Sequence, residues 1–242
     1  MSRETENALL LLLGLSTAII TVTGVYTRYV KPSLLPWLAA VAVLLIVLAL
    51  SAIIRDQRAR RDEDADADAD EHAGHEHRHG IGWLIAIPVL LLAFVVPPAL
   101  GAQAAAPLAV TLAPNEFRQP FPPLPAGRAP EVSLKEVMKR LALDSAGTLN
   151  SRLITVVGFT LKADGGTDLA RITIFCCAAD AQLGRLHLRG PAAAAAAELP
   201  DNTWIRVEGV IAPTGDATSP AIPTMTVSTL TPVDAPANTY AY

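Results

Sequence analysis

Three apolar runs constrain this chain more than any other feature: Ala8 to Val25, Leu34 to Ile54 and Ile81 to Leu100. Each is about 20 residues long, and none contains Lys, Arg, Asp or Glu. At about 1.5 Å of rise per residue, a helix of that length matches a hydrocarbon core of about 30 Å. Such runs leave no polar face for water, so several together are hard to bury in a soluble fold. Residues 1–101 are therefore predicted to be an α-helical membrane region with three transmembrane helices. A cleaved signal peptide is a poorer reading, because Arg28 and Lys31 follow the first run in place of a small-residue cleavage site. The stretch Pro97 to Ala104 looks more like such a site, but it lies after the third run.

Basic residues orient the spans. The loop 55–80 carries Arg55, Arg58, Arg60, Arg61 and Arg78, whereas the first connection carries only Arg28 and Lys31. After the third run, no Lys or Arg occurs before Arg118. The positive-inside rule then places the Arg-rich loop and the N-terminus in the cytoplasm. The predicted location is a multi-pass position in the cell membrane, with the C-terminal part extracytoplasmic and the lipid bilayer as the first partner.

Beyond the membrane region the composition changes twice. Residues 102–130 are rich in Ala and Pro and read as an extended tether. Residues 131–242 read as a folded domain. A short amphipathic helix is predicted over Val132 to Leu143, with Ser133 as N-cap and Glu136 three residues on. Alternating or β-branched segments predict strands at Leu153–Leu161, Leu169–Cys177, Leu183–Leu188, Thr203–Ile211 and Thr224–Leu230. An Ala-rich helix is expected over Pro191 to Leu199. Three strands, a helix and two strands is the element order of a small all-β, OB-like barrel. Gly158 and Gly209 would then supply bends or bulges inside two of its strands. A small β-sandwich is the alternative.

The only two cysteines of the chain, Cys176 and Cys177, stand side by side after Ile172-Thr173-Ile174-Phe175. On a strand, neighbouring side chains point to opposite faces. Three readings stay open: two structural thiols used as small apolar residues, a vicinal disulfide, or a ligand or metal site. In the third, Cys176 and Cys177 are joined by Asp180, and by His187 from a returning strand that would set it opposite Phe175. The cofactor implied is zinc or another transition metal.

A second cluster, His72, His75, His77 and His79, lies in the loop 55–80 among Glu71, Glu76 and an Asp-Ala repeat. Imidazoles at this density bind transition metals without a fold, and the same composition also suits a solvated linker. The sequence contains no G-x-S-x-G, P-loop, H-E-x-x-H or C-x-x-C pattern. An enzyme is therefore not expected. Residues 103–242 hold 11 Lys and Arg against 12 Asp and Glu, which argues against nucleic acid as a partner.

The chain resembles the YcgQ-like family, described as the small subunit of a two-component permease. The resemblance rests on the apolar N-terminus, Val157-Gly158-Phe159, Ala170-Arg171, the run Phe175-Cys176-Cys177-Ala178-Ala179-Asp180-Ala181, Trp204 to Gly209, and the tail Pro236 to Tyr242. It implies an accessory subunit working with a larger multi-span membrane permease. Together with the missing enzyme patterns, the expectation is a non-enzymatic subunit whose own outer domain binds a ligand or gates the permease. The alternative is a stand-alone metal-binding membrane protein using the His cluster and the Cys pair.

Overall fold

The computed structural model describes residues 3–66, 99–104, 118–163, 165–212 and 222–242. It divides into two units, Met1–Pro98 and Ala99–Tyr242.

In the first unit, helix α1 spans Arg3–Val22 and helix α2 spans Leu35–Asp66. Gly24, at φ 75°, breaks the helix within the first apolar run, and two short 3-10 turns, Val25–Arg28 and Pro32–Leu34, reverse the chain. The helices pack closely where a Cβ on Gly14 would come within 2.9 Å of Ile46 Cγ1. The hydroxyls of Thr17, Thr21 and Thr23 donate back to carbonyls one turn earlier, at 2.8, 2.6 and 2.7 Å. These three hydroxyls are thus satisfied by the local backbone, as an apolar surrounding requires.

The expectation of three transmembrane helices is corrected. Among the described residues, one helical stretch, Pro32–Arg58, is long and apolar enough to cross a membrane. The first run makes a shorter apolar helix, Glu6–Val22, because the turn at Gly24 cuts it off. The third run lies outside the described residues except for Ala99 and Leu100, which pack in the second unit. The loop histidines His72, His75, His77 and His79 also lie outside them.

Among its described residues, the second unit contains helix α3 (Leu134–Leu143), helix α4 (Ala193–Glu198) and five strands. The strands are β1 (Leu153–Ala163), β2 (Gly166–Thr173), β3 (Gln182–Arg189), β4 (Trp204–Ile211) and β5 (Thr224–Pro232). The sheet closes on itself in the order β1-β2-β3-β5-β4. The all-β, OB-like description is replaced by what the pairing shows. The sheet is mixed, with β3 and β5 parallel and the other junctions antiparallel, and two helices pack on it. A register shift falls at Glu208/Gly209. There a Cβ on Gly209 would lie 2.4 Å from the Thr226 carbonyl, so only glycine lets the two strands approach.

The alternation of side chains gives the sheet two apolar faces. Leu169 on β2 joins Ile154, Leu186, Ile205, Val207 and Met225 beneath Leu134 and Val137 of α3. Ala170 and Ile172, one step out of phase, join Phe159, Leu183, Trp204 and Tyr240. The tail is held on that second face by Ala241 N–H donating to Ile172 O at 2.9 Å, and by Leu100 N–H donating to the Tyr240 hydroxyl at 2.8 Å.

Residues 118–130, expected within the tether, run along this unit. Gln119 pairs with Asp144, and Arg140 donates to Pro122 O at 2.8 Å. The carboxylate of Asp144, buried at the end of α3, accepts from the amides of Phe121, Ala146 and Thr148 and from the Thr148 hydroxyl. Burial pushes its carboxyl upward, but the bonds from Thr148, Ala146 and Phe121 outweigh that and hold it at about 2. Asp144→Ala should cost about 3 kcal/mol in denaturant unfolding, since several buried donors lose their acceptor. A native carboxyl held below its unfolded value of about 3.9 stabilises above that pH. The difference between wild type and variant should therefore be full at pH 6 and shrink as pH falls from about 4 toward 2. A difference independent of pH would show that the side chain acts by packing alone.

Candidate functional site

β2 stops at Thr173, and Ile174 is the last buried residue before the turn. The next three backbone N–H groups leave the ladder and converge on one carboxylate. Phe175 N donates to Asp180 Oδ1 at 2.7 Å, while Cys176 N and Cys177 N donate to Asp180 Oδ2 at 2.7 and 3.3 Å. Ala178–Asp180 forms a single 3-10 turn with Cys177 as its N-cap, in a capping box that uses a thiol where serine is usual. Ala181 and Leu183, both buried, return the chain to the sheet. The cysteines were expected on the end of a strand and facing opposite ways. They stand in this turn instead, because a side-chain acceptor competes with the ladder for their amides.

The two thiols are free, with Cys176 exposed and Cys177 partly covered. Their sulfurs are 3.7 Å apart. One ligand atom from each of Cys176, Cys177 and Asp180 lies within 4.8 Å of the others. The Cys176 thiol and the backbone amide of Phe175 hold the Asp180 carboxyl down at about 2. In return the Asp180 carboxylate, accepting the Cys176 thiol, pushes that thiol up to about 11. The Phe175 ring beside the pair is 51% exposed, with Lys135 Nζ 5.1 Å from its centroid.

His187 is not part of this group. It pairs with Asp168, whereas the turn follows the Thr173–Gln182 pair, five residues along the strand. At about 3.3 Å per residue, that is roughly 16 Å away. The expectation that it faces Phe175 placed the β2–β3 turn too late in the chain, because it ran β2 on past Thr173. His187 Nδ1 lies 2.8 Å from Asp168 Oδ1, and Arg185 reaches Asp168 Oδ2 from Nε at 2.8 Å and Nη2 at 2.6 Å. Asp168 is fully buried. Sequence reasoning missed this cluster. Its available signal was a lone acid in the apolar run of β2, facing Arg185 and His187 two apart on the next strand. Arg171, quoted from the motif, ties the tail to the sheet by donating to Asn238 O at 3.0 Å and lying over the Trp204 ring.

The carboxylate–thiol contact predicts a pH profile. In a Cys177→Ser background, alkylation of Cys176 should be slow at pH 8 and climb steeply only above pH 10. Adding Asp180→Asn should shift that climb toward the ordinary thiol value of about 8.5 and speed alkylation at pH 8 by about tenfold. An unchanged profile would remove the carboxylate as the cause.

Two family models match this chain: the DUF1980 N-terminal domain over residues 7–106 and the DUF1980 C-terminal domain over residues 134–242. The Cys-Cys turn, the closed sheet and α3 all fall inside the second. No curated protein matches. No solved structure matches either. The two matches are consistent with the YcgQ-like resemblance at the level of the family. With both domains present and in order, the chain belongs to the DUF1980 family.

Proposed function

We propose that this protein is a non-enzymatic accessory subunit of a multi-span membrane permease, anchored by its N-terminal unit and offering the Cys-Cys turn of its C-terminal unit to a ligand. The observation that carries this reading is the uncovered apolar surface of the helix hairpin. Trp37 is 70% exposed, Val43 62%, Leu44 56% and Val47 55%, all on the helical stretch long enough to cross a membrane. Water is a poor solvent for such a face; lipid and the helices of a larger membrane protein are good ones. Gly14 is used within the hairpin against Ile46, so the outward α2 residues remain for a partner.

In this proposal the protein is multi-pass, the Arg-rich segment 55–80, which begins in the last turns of α2, lies in the cytoplasm and the C-terminal unit lies outside. The unequal distribution of Arg and Lys supports that orientation. A ligand site on an outer domain next to a permease serves capture or gating. The alternative, a stand-alone metal-binding membrane protein, draws on the Cys-Cys turn together with His72, His75, His77 and His79.

Purification of natively expressed, tagged protein in mild detergent separates the two. A multi-span permease recovered in stoichiometric amount is the expected result; recovery of the chain alone would overturn the subunit reading in favour of the stand-alone one. An epitope appended after Tyr242 should be reached by antibody on intact cells. Staining only after permeabilisation would reverse the orientation.

A further inference from the structure

We infer that Cys176 and Cys177 form a two-thiolate site for one borderline-soft divalent transition cation, of which Zn²⁺ is the type, with Asp180 as third ligand and a fourth position open to solvent. The inference deepens the accessory-subunit reading by naming the class of ligand at its Cys-Cys turn. The site itself rests on local geometry and does not need the permease.

Spacing is the first argument. Two sulfurs bound to one tetrahedral cation at about 2.3 Å stand about 3.8 Å apart. The observed separation is 3.7 Å. A disulfide requires about 2.05 Å, so the turn holds its thiols where a cation fits between them.

The second argument is preorganisation. The amides of both cysteines and of Phe175 are fixed on Asp180, and buried Ile174, Ala181 and Leu183 tether the turn at either end. Little chain entropy is lost when a cation binds to donors already placed.

The third argument concerns the carboxylate. An ionised carboxylate offers about four acceptor positions. In Asp180, backbone amides take three, and one position faces the thiols, whose sulfurs lie with it within 4.8 Å. A cation held between the two sulfurs can take that position without disturbing the three amides that hold the turn. The exchange balances: each thiol releases one proton to solvent, each sulfur gives an electron pair to the cation, and no oxidation state changes. Thiolate donors select Zn²⁺ over the hard cations Mg²⁺ and Ca²⁺. Three protein ligands, with exposed Cys176 among them, leave the fourth position to water or to an incoming ligand, an arrangement suited to exchange.

The test uses the reduced full chain in detergent, with His72, His75, His77 and His79 changed to Ala so that the loop cannot compete. Titration with Co²⁺ as a spectroscopic probe, then with Zn²⁺ against a chromogenic chelator, should give one cation per chain. A thiolate-to-Co²⁺ charge-transfer band should appear, and about two protons should be released per cation in weak buffer at neutral pH. Cys176→Ser and Cys177→Ser should each weaken Zn²⁺ binding by about 100-fold or more, and Asp180→Asn by about tenfold or more. Circular dichroism of each variant establishes that it is folded. Absence of the charge-transfer band, or Zn²⁺ affinity unchanged in either folded Cys variant, would overturn the site. Failure to recover a permease leaves these readings untouched, so the two proposals fail separately.

Discussion

The parallel pairing of β3 with β5 is the constraint on which the C-terminal unit depends. His187, Leu188 and Arg189 lie beside Thr224, Met225 and Thr226, and this short junction joins the β1-β2-β3 meander to the β4-β5 hairpin. Without it, β3 and β5 would each present a free edge of unpaired amides and carbonyls. With it, the interior row of Leu169, Leu186, Ile205, Val207 and Met225 is enclosed and Leu134 and Val137 of α3 can cover its end. Closure also fixes which way the β2–β3 connection points. Beyond the Thr173–Gln182 pair, buried Ile174 still donates its amide to Ala241 O of the tail, and the six residues Phe175 to Asp180 lie outside the ladder.

That departure from the ladder creates a local problem, which Asp180 solves. Amides at the end of a strand must find acceptors or water. Asp180 gathers three of them on one side chain and so converts a floppy connection into a fixed one. The cysteines are ordered as a consequence of where their amides go. Their thiols are then the part of the turn left to do chemistry.

How much of this was legible in the sequence follows from which forces are local. The α3 boundary was readable, because Ser133 and Glu136 act on each other across one turn and the Ser133 hydroxyl accepts the Glu136 amide at 3.2 Å. The positions of β1, β3, β4 and β5 were readable from alternation, and Gly209 marked its irregularity because only a backbone approach explains a glycine there. The end of β2 was misread, since apolar Ile174-Phe175 prolongs the strand pattern while Asp180, five residues later, cancels it. That error displaced His187 into the wrong site. The Asp168 cluster depends on register across two strands, which no single segment encodes. Among the described residues, the first apolar run was overestimated as a membrane-crossing helix because composition measures apolarity but not where the turn at Gly24 ends a helix.

Asp168 and Asp180 show why the two acids of this hairpin have different prospects. Both have their oxygens satisfied. Asp168 is closed off from water, with Arg185 and His187 on its oxygens, and removing either partner would leave a buried charge poorly compensated. Asp180 is held by three amides that do not leave, with two thiols beside it that can give up their protons. A carboxylate of the first kind serves the fold alone, since any change of partner costs stability. A carboxylate of the second kind can trade a proton for a cation at the surface while the turn keeps its shape. Ligand exchange without unfolding is therefore a property of the exposed end of the β2–β3 hairpin, five residues along the strand from the ion cluster that helps to hold that hairpin together.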